Sequence, residues 1–410
     1  MIQKYFIAKN MLIVVGIATL LLILWCYSPQ TSDKYVVVLS LDGFRYDYPR
    51  LARTPTLDSI ARYGVAAEGF IPCFPSKTFP NHYSMATGLY PDNHGIIDNR
   101  FWDSELGIYS TSSRKDVENE KFYGGEPFWV TAEKQGILSA TYFWVGSEAP
   151  IQGIRPSYWK TYQENISFEA RIDTVIHWLT LPTKKRPKLI AVYYHQPDEA
   201  AHNFGATASE TFSVVSKLDS LIGVFIQRLN QLPIARQINF IVVSDHGMAD
   251  ISPQKYINLS ELIDTSNIAL VTGGSPILNL STVKGYEDSI LKQLQTVPNI
   301  KAWHRNQIPD RIHFGKNKRV LPILIAADLG YNVGFDTISQ KYTGGTHGYD
   351  NIYPEMWGIF YAIGPAFRKN YLNPPLLNLN LYNIIIRSIG LKPAPNDGKI
   401  SEIDSLFNPN

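Results

Sequence analysis

Three segments of the chain are near-continuous runs of β-branched and apolar residues that end on an acid: Tyr35–Asp42 (YVVVLSLD), Leu189–Asp198 (LIAVYYHQPD) and Ile238–Asp245 (INFIVVSD). Runs without polar alternation suit strands covered on both faces, as in a parallel sheet. Between them, apolar positions recur at helical spacing over Phe168–Leu181 and Glu210–Leu232. Strands and helices in alternation predict an α/β fold, with a mostly parallel central sheet flanked by helices and joined by right-handed crossovers. Ligands of such sheets gather beyond the carboxyl ends of the strands, so the three terminal aspartates are expected to converge on one site.

Residues from about 252 to 343 are patterned differently. Ser252-Pro-Gln, Thr272-Gly-Gly-Ser-Pro and the strand-like Ile277-Leu-Asn-Leu-Ser precede a short helical pattern near 286–296. This stretch is expected to form a smaller α+β insertion that caps the main sheet of a catalytic body spanning 32–410. Met356–Ile363 predicts another buried strand, and Leu379–Ile389 a final helix that stops before Gly390.

Met11–Tyr27 is a run of 17 uncharged, mostly apolar residues preceded by Lys4 and Lys9. A basic start and an apolar core are the marks of an export signal. As a helix the run would span about 26 Å, just short of a hydrocarbon core of about 30 Å. No small-x-small cleavage site follows it. Residues 1–31 are therefore expected to be a signal or uncleaved anchor that touches the membrane, with the body exported to the periplasm or another extracytoplasmic face.

Composition narrows the function classes. The chain has 38 Lys+Arg against 36 Asp+Glu in 410 residues, and residues 1–31 hold two bases and no acids, so the body is formally neutral. A neutral body argues against stable nucleic-acid binding through a broad basic surface. At 45% hydrophobic residues the chain is not largely disordered. Cys73 is the only cysteine after the leader, so no disulfide can form within the body.

Asp198-Glu-Ala-Ala-His202 puts a carboxylate and an imidazole on one face if a helical turn follows the strand. Asp245-His246 is a second such pair, Asp42-Gly43 ends the first run, and His347 lies on a glycine-flanked turn. Mixed Asp/His sets suit zinc, and paired ions suit phosphoryl transfer. Each residue also has an ordinary reading: Asp42 and Asp245 as helix caps, His202 as a surface histidine, His347 as a loop residue. Taken together, three strand-terminal aspartates, two of them with a nearby histidine, point to metal.

The segment Pro75-Ser-Lys-Thr78-Phe79-Pro-Asn-His-Tyr-Ser84, with Met85–Gly95 after it, resembles the signature of the nucleotide pyrophosphatase/phosphodiesterase family of the alkaline phosphatase superfamily. The family's patterns recur in order as Leu41-Asp42-Gly43, Pro197-Asp198-x-x-x-His202, Ser244-Asp245-His246-Gly247-Met248 and Gly345-Thr-His347-Gly-Tyr349. The resemblance implies an alkaline-phosphatase-like fold and two zinc ions. Asp198, His202 and His347 would hold one; Asp42, Asp245, His246 and Thr78 would hold the other. It also implies that Thr78 is the nucleophile that transiently carries the nucleotidyl group. Asn99 would donate a hydrogen bond to a non-bridging phosphate oxygen. Cys73-Phe-Pro-Ser-Lys77 imitates the sulfatase sequence C-x-P-S-R, but Lys77 stands in place of the arginine.

The implied substrate is a small nucleotide diester or pyrophosphate, cleaved to a nucleoside 5′-monophosphate. Phe79 and Tyr162 resemble the aromatics that stack on the base, and Tyr193 is expected to line the same pocket. Stacking reads the π-face, so weak base selectivity is expected. A choline-type lipid-headgroup phosphodiesterase and a phosphomonoesterase are alternatives within the superfamily. A membrane-tethered binding module with a degenerate site is the non-enzymatic one.

Overall fold

The structure, a computed structural model, describes residues 34–336 and 343–409. The expected signal or anchor at 1–31 lies outside the described residues. Among the described residues no helix is long and apolar enough to cross a membrane.

In chain order, the first half supplies β1 (Tyr35–Leu41), α1 (Pro55–Tyr63), β2 (Val65–Ala67), α2 (Thr78–Thr87), β3 (Ser139–Tyr142), β4 (Tyr158–Lys160), α3 (Phe168–Thr180), β5 (Leu189–Tyr194), α4 (Asp198–Phe204) and α5 (Ser209–Asn230). The second half supplies β6 (Ile238–Val243), β7 (Ile268–Gly274), β8 (Ile277–Thr282), α6 (Glu287–Leu294), β9 (Ile300–His304), β10 (Ile323–Ala327), β11 (Phe360–Ile363), β12 (Tyr371–Asn373) and α7 (Leu381–Ile389). Eight strands form the main sheet in the order β12-β2-β11-β6-β1-β5-β3-β4. β1 lies at its centre, parallel to β5 on one side and β6 on the other.

Alternate residues of β1 serve two cores, which is why its sequence is apolar without a break. Val36 and Val38 pack with Tyr83 and Met85 of α2 and with Ile384 and Ile385 of α7. Val37 and Leu39 face Leu57 of α1, Ile172 of α3 and Ile222 of α5. Each such side chain, fully buried, contributes about 1.5–3 kcal/mol. Gly390 ends α7 in the left-handed conformation, φ +79°, which glycine adopts without penalty.

One expected strand differs. The apolar run from Met356 becomes a strand only at Phe360, and it runs antiparallel to β6 and β2. The preceding backbone is committed elsewhere: Trp357 O accepts from Tyr46 N–H at 2.9 Å, and Gly358 pairs with Phe70.

Within the stretch from 252, β7, β8, β10 and β9 form a separate four-stranded antiparallel sheet, with α6 packed on it through Ile290, Leu291 and Leu294. Arg319 ties this stretch to the main body. Its Nε donates to Asp103 at 2.7 Å, and its Nη1 donates to the carbonyls of Gly95 and Phe122 at 2.8 and 2.6 Å. Both charged side chains are buried. Arg319→Ala would leave the Asp103 carboxylate unpaired and two carbonyls without a donor. Denaturant unfolding is expected to show a loss of about 3–5 kcal/mol, and no loss would refute the tie.

Candidate active site

The carboxyl ends of the three central strands deliver the aspartates that the apolar runs predicted. Asp42 follows β1, Asp245 follows β6 by two residues, and Asp198 opens α4 beyond β5. Neither Asp42 nor Asp245 caps a helix, so their helix-capping reading falls away. Asp198 N–H donates to Asp42 O at 3.0 Å, which stitches two of the strand ends together. Gly43, at φ +66°, passes so close to Asp198 that an added Cβ would lie 2.8 Å from its side chain.

The histidines are oriented from behind. His202 Nδ1 meets Gly345 O at 2.8 Å, His246 Nδ1 meets Gly247 O at 2.9 Å, and His347 Nδ1 meets Ser76 O at 2.9 Å. A carbonyl only accepts, so each Nδ1 carries the proton and each Nε2 keeps a free lone pair. His202 Nε2 lies 3.3 Å from Asp198, and His246 Nε2 lies 3.3 Å from Asp42 and 3.1 Å from Asp245. The rings of His246 and His347 stack at 3.7 Å.

Three carboxylate oxygens in this cluster have no hydrogen-bond donor: Asp42 Oδ1, Asp198 Oδ1 and Asp245 Oδ2. Their partner oxygens are engaged where the second side of the carboxylate needs fixing. Tyr193 Oη donates to Asp42 Oδ2 at 2.6 Å, and Gly43 N–H donates to Asp245 Oδ1 at 3.2 Å. Buried acceptors left open beside imidazoles with free lone pairs make a donor set for hard or borderline divalent cations, zinc among them. The residues fit the metals expected from the sequence.

The electrostatics show the same strain. Burial, and then Asp245 and Asp198, push the Asp42 carboxyl well above its ordinary range. Burial also opposes ionisation of Asp245, yet His246 and His82 hold it below the usual carboxylate value. Asp198 is likewise held down against burial by His202 and His347. Burial and the neighbouring His246 lower His347 to about 3, which keeps it neutral and able to ligate.

The grouping of ligands is less separable than the sequence reading had it. Potential ligand atoms of Asp198, His246 and His347 lie within 4.8 Å of one another, as do those of Asp42, His82 and Asp245. His246 thus stands between the two carboxylate sets. His82 was missed: its Nδ1 lies 3.0 Å from Thr78 O and 3.2 Å from Asp245, and its Nε2 lies 2.8 Å from Ser40 Oγ. Its place one helical turn after Thr78 was the available signal.

Thr78 begins α2, and its Oγ1 lies 3.3 Å from His246 Nε2. Lys77 before it is buried, bonded to both oxygens of Asp98 at 3.0 and 2.9 Å and to Gly274 O at 2.8 Å. Asn99 Oδ1 accepts from Phe79 N–H at 3.1 Å, so the amide NH2 remains as its donor. Thr78, Phe79, Tyr162 and Tyr193 line one cavity of about 380 Å³, the size of a small-molecule site. A groove of about 640 Å³ lies at the other end of the central strands, beside Ile238 at the start of β6 and Ile363 at the end of β11, and holds none of this chemistry. Cys73 is buried, and burial pushes its thiol up to about 12, so it is an inert core thiol.

Known proteins share this sequence pattern and fold. The family profile described as type I phosphodiesterase / nucleotide pyrophosphatase matches residues 36–350. The human ectonucleotide pyrophosphatase/phosphodiesterase family member 1 is 36% identical over 383 residues, covering 90% of this chain and 41% of the human protein. A venom phosphodiesterase of Crotalus durissus collilineatus is 34% identical over 382 residues, covering 91% of this chain and 46% of its own. The chain thus spans less than half the length of these curated relatives. Among solved structures, murine ectonucleotide pyrophosphatase/phosphodiesterase 5, as an inactive variant in complex with AMP, superposes with a TM-score of 0.87. It is 32% identical, and the match covers 92% of this chain and 100% of that one. The human member 5 gives a TM-score of 0.86 at 31% identity. The fold is the alkaline-phosphatase-like α/β fold, and the chain belongs to the type I phosphodiesterase / nucleotide pyrophosphatase family.

Proposed function

We propose that this chain is a metal-dependent hydrolase of nucleotide phosphodiester and pyrophosphate bonds that works through a covalent Thr78 intermediate and releases nucleoside 5′-monophosphates. The observation that carries this is a threonine hydroxyl at a helix start, 3.3 Å from His246 Nε2, in a cluster where three buried carboxylate oxygens lack donors and three imidazoles carry their proton on Nδ1. Asp198, His202 and His347 would hold one divalent cation, and Asp42, Asp245 and His246 the other, with Thr78 beside it. When bound, two zinc ions would lower the pKa of the attacking hydroxyl and neutralise charge on the phosphate and the departing oxygen.

The chain's own residues do the rest. Thr78 Oγ1 forms the new bond to phosphorus as the bond to the leaving oxygen breaks; water then displaces the threonine and returns its hydroxyl. Placement at the start of α2 favours the developing negative charge. The Asn99 amide supplies an oriented donor for a phosphate oxygen. Phe79 and Tyr162 hold the base by stacking, while Tyr193 orients Asp42 through its hydroxyl. The partner is a small nucleotide, with no stable nucleic-acid complex. We place the reaction outside the cytoplasmic membrane, with residues 1–31 as the export signal or tether.

Turnover of a nucleotide p-nitrophenyl ester and ATP, set beside glycerophosphocholine and an aryl monophosphate, tests the reading. Nucleotides are expected to dominate, and a chelator to abolish the activity. Preference for glycerophosphocholine or the monoester would assign the superfamily's other chemistries instead. Phe79→Ala is expected to raise KM for the nucleotide ester about ten-fold, in line with roughly 1–3 kcal/mol per stacked base. The same change should leave hydrolysis of bis-p-nitrophenyl phosphate less affected; equal loss on both would remove Phe79 from base binding.

A further inference from the structure

The pole at the start of the central strands holds a set of bases that the proposed chemistry does not use. The register brings three connections together there. Val36 N–H donates to Lys188 O at 2.8 Å, Tyr35 of β1 stands opposite Ile238 of β6, and Ile363 of β11 stands opposite Phe240. The connections at these strand ends, 181–188, 231–237 and 364–370, hold seven bases and no acid. In a body whose charges balance, that is a local excess of one sign. Acids on neighbouring elements already have donors: Asp173 of α3 is paired with Arg228, Asp404 with Arg387, and Glu133 accepts from Ser139 and Ser157. Lys184, Lys185, Arg236 and Lys369 are exposed, and among the described residues none of them pairs with a carboxylate.

The charge frames an apolar hollow. Ile226, Leu229 and Ile363 line the groove of about 640 Å³ at this pole, together with Arg236 and Lys369. Tyr63, 58% exposed, lines it too. An aromatic ring with a polar tip, cations and an apolar hollow together match the interface of a lipid bilayer. A nucleic-acid backbone would meet the cations but leave the hollow unfilled. Chain continuity decides which polyanion comes within reach. Residues 1–33 precede Lys34, which leads into β1 at this pole, and they include the uncharged run Met11–Tyr27. That run is short for a full span, and a polybasic patch beside it is a common second hold on a membrane.

We propose that this pole docks on an anionic phospholipid surface, with Lys184, Lys185, Arg236 and Lys369 on lipid phosphates and the hollow beside Arg236 taking the upper acyl chain of one lipid. The docking is separate from hydrolysis and shares with the proposed function only the placing of residues 1–31 at a membrane. Each base close to an anionic surface strengthens binding about five-fold, and the effect falls away within a Debye length. The patch therefore acts at contact and is erased by salt.

The full chain is mixed with vesicles of phosphatidylcholine alone or of phosphatidylcholine with phosphatidylglycerol, and acetylation of each lysine is followed by mass spectrometry. On anionic vesicles Lys184, Lys185 and Lys369 are expected to react at least about five-fold more slowly than on neutral ones, while the exposed Lys292 of α6 keeps its rate. Salt at about 1 M, where the Debye length is about 3 Å, should remove the difference. Lys184→Gln combined with Lys185→Gln and Arg236→Gln should lose the protection at Lys369 and keep native turnover of a nucleotide ester free of vesicles. Equal rates on both kinds of vesicle, or a triple variant protected like the native chain, overturn the docking. Protection by a DNA duplex as strong as that by anionic vesicles also overturns it, because the patch would then hold any polyanion. Flotation with neutral vesicles reads the membrane segment separately. Flotation without protection keeps the tether and removes the docking; protection on anionic vesicles without flotation on neutral ones does the reverse. None of these outcomes depends on turnover, so the hydrolytic reading stands or falls by its own substrates.

Discussion

Thr78→Ala is expected to lower kcat/KM on a nucleotide p-nitrophenyl ester by at least about a thousand-fold, the scale on which removing a covalent nucleophile acts. The change deletes the hydroxyl oxygen, which lies 3.3 Å from His246 Nε2, together with the γ-methyl. Alanine is the best helix former, and Thr78 is the first residue of α2, so the fold has no reason to suffer. AMP affinity should therefore change little, since base stacking and the Asn99 donor remain. Thr78→Ser keeps the hydroxyl and should retain measurable turnover and a trappable nucleotidyl group on that hydroxyl. Undiminished turnover by the alanine variant would end the proposed mechanism.

Asp42→Asn is expected to separate activity from stability. Without cations, Asp42, Asp245 and Asp198 crowd one buried space, and that crowding together with burial drives the Asp42 carboxyl upward. Cation binding relieves the repulsion, so the native chain should melt several degrees lower in chelator than with zinc. Asparagine can still accept from Tyr193 but brings no charge. The variant should hold about one divalent ion fewer by elemental analysis, lose activity at least about a hundred-fold, and melt no lower than native in chelator. Full activity with native metal content would remove Asp42 from the ligand set.

The three central strands and their terminal acids were readable because each obeys a local rule. A strand buried on both faces must be apolar at every position, and a polar residue at its end marks where it leaves the sheet. Gly390 announced the end of α7 for a similarly local reason. What was unreadable depends on partners distant in sequence. The run from Met356 looks the same whichever way its strand is aligned, and only the commitment of Trp357 and Gly358 to Tyr46 and Phe70 delays it to Phe360. Glu148 alone resembles any loop glutamate; it is buried at the cavity beside Thr78 only because Arg114, 34 positions away, pairs with it. The division of ligands was blurred too, since His246 reaches carboxylates that the sequence reading allotted to different ions.

The direction of β1 has a practical consequence. The strand begins beside Lys34 and ends at the aspartate of the site, and its seven residues span about 23 Å. A bead, sensor surface or fusion partner joined ahead of Lys34 therefore meets the molecule at the pole away from the pocket. Immobilised through that end, the protein would present its cavity outward to the bulk, which makes the amino-terminal side the one to use when the enzyme is arrayed for substrate screening.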